Sequence, residues 1–257
     1  MRVTVLGCGG SNGVPLIGGS WGDCDPSEPR NRRRRSSILV EQGDTRILVD
    51  TSPDLREQLI DARVDWITAV VYTHAHADHL HGLDDLRPLN YLMKRSIPIH
   101  ATPETLAEID QRFGYALEPV PPGVEVFRPV LTPVPITGPS FRVGGIDVHW
   151  FPQDHGPGGE TLGLRFGKAA YSTDVARLPE AAFDILAGVD LWIVDCLRHG
   201  PPHPTHANYE QALSWIERVK PRRAVLTHLS HHMDYRRLTG LCPPGVEPAY
   251  DGMVIEL

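Results

Sequence analysis

Short continuous apolar runs, more than long amphipathic stretches, set the pattern of this chain. Residues 2–6 read as a strand that turns into a glycine loop over residues 7–15. That loop supplies either turns with positive φ or a backbone that approaches a substrate. Residues 36–41 and 45–49 form an expected hairpin about Gly43-Asp44. The apolar run at 67–72 suits a buried strand. Further strands are expected at 97–101, 141–143, 146–152, 162–166, 169–172, 191–194 and 224–227. Helical patterns cover residues 53–62, with Pro53 near the first turn, and 80–93, with a break near Pro88. Another helix opens at Thr102-Pro103-Glu104, where threonine suits the N-cap and proline the first helical position. Two more are expected over 178–187 and 207–219. Residues 118–140 are rich in proline, yet strands resume beyond them, so they read as a crossover inside one domain spanning residues 1–257. Strands in both halves with interspersed helices predict an α/β (α+β) fold, two packed sheets covered outside by helices.

Composition narrows the function only slightly. Hydrophobic residues make up 41% and charged residues 22%, ordinary values for a soluble protein. A net charge of -7 argues against a binder of polyanions by its overall field. Metals or arginines can still hold a phosphate locally. The basic run at residues 30–35 is either a solvated loop or the source of a phosphate-facing arginine. Cys8, Cys24, Cys196 and Cys242 are scattered, which indicates neither a zinc ribbon nor a disulfide framework. The N-terminus lacks the apolar stretch of a signal peptide, and no segment is long enough to span a membrane. A cytoplasmic location with free thiols is the expectation.

The anomaly is the 13 histidines. His74, His76, Asp78 and His79 form an HxHxDH motif directly after the apolar run at 67–72. A chance match has odds on the order of one in a thousand. Three imidazoles and a carboxylate this close are a natural ligand set for zinc or a similar divalent ion. His155, Asp174 and His228 each follow an apolar run, where an α/β scaffold displays its site residues. One such histidine alone is more often structural. Together with the motif they carry weight.

The ordered set resembles the metal-binding pattern of the metallo-β-lactamase superfamily, almost end to end. More narrowly it resembles the cyclic phosphodiesterases of bacterial phosphonate degradation. The matching stretches include Gly9-Gly10 with Gly13-Val14-Pro15, Ser172-Thr173-Asp174, Asp195-Cys196, residues 226–231 and Asp251-Gly252-Met253. The resemblance implies a four-layer αββα sandwich and two divalent metal ions, manganese or zinc. It assigns His74, His76 and His155 to one metal and Asp78, His79 and His228 to the other, with Asp174 bridging them and Asp50 supporting the metal loop. An aspartate at 174, in place of a cysteine, argues against a true β-lactamase. Such a pair lies about 3.5–4 Å apart and shares a hydroxide. Asp78 and His206 are the expected catalytic residues, His206 as proton donor to the leaving group at the start of a helix. His199 and His203 are read as loop residues, and His100 and His149 as structural.

One departure stands out. The resembled enzymes carry an extra structural zinc on a cysteine cluster in the early loop and a late histidine. Here the loop keeps only Cys24, with His231 surviving near the end, so no third zinc is expected. The resulting expectation is a dinuclear metal-dependent hydrolase of small phosphodiesters, cyclic ones such as phosphoribosyl 1,2-cyclic phosphate or cyclic nucleotides included, with no membrane and no stable nucleic-acid partner. The resemblance leaves room for a homodimer. Rival readings are a tRNA 3′-end endonuclease, a thioester or lactone hydrolase of the same fold, and a non-catalytic metal-binding carrier. Gly156-Pro157-Gly158-Gly159 is too short for the arm that the endonucleases use to grip tRNA.

Overall fold

In the computed structural model, which describes residues 1–119 and 128–257, two sheets face one another. The first is built from β1 (Arg2–Gly7), β2 (Ser37–Gln42), β3 (Thr45–Val49), β4 (Ala69–Val71), β5 (Ile97–Ala101), β6 (Leu131–Pro135) and a late strand. The second holds β7 (Ser140–Val143), β8 (Ile146–Asp154), β9 (Glu160–Phe166), β10 (Ala169–Ser172), β11 (Leu191–Asp195), β12 (Arg223–Thr227) and β13 (Val246–Pro248). The late strand, β14 (Val254–Glu256), returns to pair antiparallel with β1, so both ends of the chain close the first sheet. The helices are α1 (Leu55–Asp61), α2 (Ala77–Leu80), α3 (Arg87–Met93), α4 (Pro103–Phe113), α5 (Glu180–Leu186), α6 (Tyr209–Val219) and α7 (Tyr235–Leu241).

The apolar runs are continuous because most of these strands are buried on both faces. In β2 and β3, Ile38, Val40, Ile47 and Val49 point into the core between the sheets, while Leu39 and Leu48 pack outward with Leu55 and Leu59 of α1. In β11, Leu191 and Ile193 point inward, and Trp192 and Val194 pack with Ala182 of α5 and Ala212 and Ile216 of α6. Three apolar layers therefore separate four structural layers, the αββα sandwich. Each large aliphatic side chain buried this way contributes about 1.5–3 kcal/mol.

Several boundaries differ from expectation. The helix expected over 80–93 is three pieces. α2 stops at Leu80, a 3-10 turn covers Leu83–Leu86, and Pro88 sits in the first turn of α3. Gly82 explains the interruption: a Cβ there would lie 1.9 Å from the Ser52 carbonyl oxygen, so the chain needs glycine to pass. Pro53 lies ahead of α1 and outside its first turn. The crossover at 118–140 contains β6, whose Pro133 and Pro135 are tolerated because β6 is an edge strand. Residues 120–127 of that stretch lie outside the described residues. The helix expected from 207 starts at Tyr209, with Asn208 as its N-cap accepting from the Gln211 amide, so His206 precedes the helix and does not begin it.

The basic run at 30–35 is only partly solvated: Arg30 and Arg32 are exposed, Arg34 and Arg35 are half-buried, and Arg33 is buried. Arg33 is 2% exposed. Its guanidinium donates to the Ser230 carbonyl (3.0 Å), the Met233 carbonyl (2.6 Å), Asn31 Oδ1 (3.2 Å) and the Cys24 thiol (3.8 Å). Asn31 in turn donates to Asp234 at 2.7 Å. One buried guanidinium thus ties the early loop to the segment after β12. Arg33→Met would leave the Met233 carbonyl without its donor and take one of two donors from the Ser230 carbonyl and from Asn31 Oδ1, which keep the Met233 and Tyr235 amides; a buried acceptor left unsatisfied costs about 1–3 kcal/mol. The expected loss, with the charged hydrogen bonds themselves included, is about 2–3 kcal/mol, a drop of roughly 4–12 °C in Tm for a domain this size. A melting temperature within about 2 °C of wild type would remove Arg33 from the stabilising contacts.

Candidate metal centre

Parallel pairing brings the strand ends together. The register Val49↔Val71 aligns the ends of β3 and β4, so Asp50 lies beside the loop that opens with Thr73. The registers Ser172↔Val194 and Asp195↔Thr227 align the ends of β10, β11 and β12, which present Asp174, Asp195 and His228 side by side. His155 follows β8. Asp50, Asp174 and His228 all hold positive φ, at 63°, 55° and 57°. Non-glycine residues are uncommon there, and such strain is kept where a side chain must be aimed.

These ends converge on two adjoining groups of donors. His74, His76 and His155 form one. Asp78, His79, Asp174 and His228 form the other, with ligand atoms in each group within 4.8 Å of one another. Asp174 reaches both, with Oδ2 3.0 Å from His79 Nε2 and Oδ1 3.4 Å from His228 Nε2 and 3.9 Å from His155 Nε2. All seven residues named from the sequence are therefore in one cluster, and all but the half-buried His76 are buried.

Hydrogen bonds around the cluster fix which nitrogens face inward. His79 Nδ1 lies 2.7 Å from Asp50 Oδ2, so it carries the proton and leaves the Nε2 lone pair for a metal. Thr73 donates its hydroxyl to Asp50 (2.8 Å) and accepts from His74 Nδ1 (3.0 Å), which again frees Nε2. His155 Nδ1 donates to the Thr205 carbonyl at 2.6 Å. The Nε2 atoms of His74, His79 and His228 and Oδ2 of Asp78 are buried with no hydrogen-bond partner. Orphaned buried donors and acceptors that face one another are costly unless something joins them. Imidazole and carboxylate ligands, with their outer contacts in place, fit divalent metal ions.

Charge agrees with this. Burial works against the carboxylate of Asp174, but His228 and His79 hold it well below the usual range. Burial likewise opposes protonation of His79, and Asp174, Asp78 and Asp50 overcome it and hold the ring well above an ordinary imidazole. His228 is raised to about 9 by Asp174, Asp78 and Asp195 against its burial. His74, buried and beside His79, is pushed well down.

Asp50 touches no candidate metal position, yet it accepts from the Thr73 amide, the Thr73 hydroxyl and His79. Asp50→Asn should weaken metal affinity about 10–100-fold, as loss of outer-shell partners does. Competition with a chelating dye measures it, and unchanged affinity would contradict the orienting role.

His206 is buried against the cluster, its ring stacked on His228 at 4.5 Å between centroids. Its Nδ1 lies 3.1 Å from Asp195 Oδ2. Asp195 is held by the Val175 amide at 2.9 Å. Asp195 was legible in the sequence only as part of a family stretch, and its pairing with His206 arises from the alignment of β11 with the following loop. His203, read as a loop residue, has its ring 5.4 Å from that of His206 and lines a cavity beside the centre. Arg198 lines the same cavity and was not singled out. His199 lies outside it, its ring tilted against that of Tyr209 at 4.5 Å between centroids. Gly10 and Gly13 of the glycine loop line it too, and a Cβ at Gly10 would come within 3.4 Å of His228.

A family model described as a β-lactamase superfamily domain matches residues 45–229. A solved structure described as a new diphosphatase from the PhnP family superposes with a TM-score of 0.89 and 35% identity, covering 99% of this chain and 97% of the other. An octanoyltransferase of Porphyromonas gingivalis (strain ATCC BAA-308 / W83) is 33% identical over 98% of this chain and 51% of its own length. The chain thus spans about half of that relative. A ribonuclease Z of Mycobacterium sp. (strain KMS) is 27% identical over 78% of this chain and 79% of its own length. With its two sheets, its histidine and aspartate clusters and these matches, the chain belongs to the metallo-β-lactamase superfamily and is a metal-dependent hydrolase.

Proposed function

We propose that the chain is a dinuclear phosphodiesterase for small soluble phosphodiesters, cyclic ones included. His74, His76 and His155 would hold one divalent ion, and Asp78, His79 and His228 the other, with Asp174 shared. When bound, such a pair supplies a nucleophile at neutral pH and polarises a phosphoryl oxygen.

The observation that carries the reading is the Asp195–His206 pair. Displacing an alkoxide from phosphorus needs a proton, and a positioned histidine supplies it. Asp195 accepts from Nδ1 and leaves His206 Nε2 to hand a proton to the departing oxygen. Asp78 Oδ2, without a partner, is placed to accept from the attacking water. A thioester hydrolase would need the same nucleophile but expels a thiolate, which leaves without a strong proton donor; a lactone expels an alkoxide and is told apart by the assay below. The similarity to a diphosphatase favours a second reading, cleavage of a diphosphate bridge, in which the leaving phosphate needs less protonation. The turn at Gly156–Gly158 is a single short 3-10 element, which weighs against a tRNA-gripping arm.

The test is turnover of cyclic phosphodiesters, a dinucleoside diphosphate, a thioester and a lactone by protein loaded with manganese or zinc. The expected result is faster cleavage of a phosphodiester than of any acyl compound. Cleavage of the acyl compounds alone would overturn the substrate class.

A further inference from the structure

The seven candidate ligands are not equally held. Six are buried, and His76 alone is half-buried. His74, His79 and His155 each have an Nδ1 contact outside the cluster. Among the described residues the His76 ring makes no hydrogen bond. It only meets the rings of His74 and His155, at 4.5 and 5.2 Å between centroids. Ligating histidines are ordinarily aimed by an outer partner. The direction of His76 therefore falls to its backbone.

The peptide units on both sides of His76 are tied down. Its carbonyl accepts from the His79 amide at 3.0 Å as α2 begins. The preceding peptide is held at the Ala75 carbonyl, which accepts from Arg112 Nη1. No other donor reaches that carbonyl among the described residues. Arg112 stands in the last turn of α4, and its Nη2 donates to Glu108 one turn earlier. The guanidinium fork is thus shared between a carboxylate and one carbonyl of the metal loop. α4 itself is fixed, with Thr102 as N-cap accepting from the Thr105 amide (3.2 Å) and Ile109 in the apolar layer beneath. The next residues hold the far side of the motif. Phe113 meets the ring of His81 edge-on at 5.7 Å, and the Tyr115 hydroxyl donates to Asp84 at 2.7 Å.

We propose that Arg112 is a positioning residue for His76 and so sets the affinity of the metal position formed by His74, His76 and His155. The inference rests on the ligand partition proposed above. No hydrogen bond joins Arg112 to a candidate ligand side chain, so it acts through the peptide that carries His76. The other position does not depend on this contact. His79 is aimed by Asp50, and Asp174 and His228 stand at the ends of separate strands.

The experiment titrates metal-free protein with zinc against a chelating dye and reads two dissociation constants. Arg112→Met should weaken one of them about 10–100-fold, the penalty of losing an outer-shell partner, and leave the other within about threefold. Arg112→Lys should fall between, because an ammonium can reach the carbonyl but cannot serve Glu108 as a fork at the same time. Arg112 is 38% exposed, so neither change opens a hole in the core. Should Arg112→Met fail to fold, Arg112→Lys reads the same two constants. His76→Ala, the control, should abolish the site that Arg112→Met weakens. Two unaltered constants in Arg112→Met, or an equal fall in both, would overturn the positioning role, while loss of one metal in His76→Ala would leave the partition standing. Two tightly held metals in His76→Ala would overturn the partition and the inference with it.

Discussion

Asp174→Ala is expected to lose at least one of the two metals and to lower kcat/KM by more than about a thousandfold. The side chain lies between the two donor groups, 3.0 Å from His79 and 3.4 Å from His228, and it reaches His155 as well. Its removal takes a contact from both ions, so the cost should exceed the roughly 10–100-fold penalty of losing an outer-shell partner. It also removes the carboxylate that offsets a crowd of buried imidazoles. Asp174→Asn separates these effects, because it keeps the shape and one oxygen while giving up the charge. Metal analysis and turnover on the same samples decide the matter. Two tightly held metals with full activity in either variant would sink the shared-ligand assignment.

His206→Ala should behave differently. Metal content should stay at the wild-type level, since Nδ1 is engaged by Asp195 and the ring stands behind His228. Turnover should fall about 10²–10⁴-fold for substrates with alkoxide leaving groups, the usual contribution of a positioned general acid. The loss should be much smaller with a nitrophenolate leaving group, which departs without a proton. Asp195→Asn should move in the same direction by less, because it disturbs the tautomer without removing the ring. Equal losses for good and poor leaving groups would take His206 out of proton transfer and assign it to packing. Loss of a metal equivalent would make it a ligand, an arrangement its closeness to His155 and Asp174 also allows geometrically.

Much of this architecture could be read from residue order alone. Strands buried on both faces leave unbroken apolar runs, and the four-residue motif at 74–79 combines rare residue types at fixed spacing. His155, Asp174 and His228 were visible because each polar residue terminates an apolar run. Other features depend on contacts that no local pattern records. β6 hides among prolines that only an edge strand accepts, and β13 and β14 are three residues long. α7 follows a histidine-rich turn and went unmarked. Arg33 looked like one charge in a run of solvated arginines. Its burial depends on carbonyls some 200 residues away. The cavity lined by Arg198 and His203 was hidden for the same reason, since it is assembled from loops distant in sequence. The Nδ1 contacts of His74, His79 and His155 add what the resemblance did not supply: each outward nitrogen has an acceptor, and each Nε2 is left for a metal.

The most direct test of the proposed two-metal phosphodiesterase activity is a stepwise titration. Metal-free protein is given manganese or zinc in fractions of an equivalent, and cleavage of a ribonucleoside 2′,3′-cyclic phosphate is followed at each step. Two donor groups that share Asp174 predict activity that keeps rising until two equivalents are bound and then levels off. Activity complete at one equivalent, or phosphodiester cleavage that persists without any metal, would contradict it.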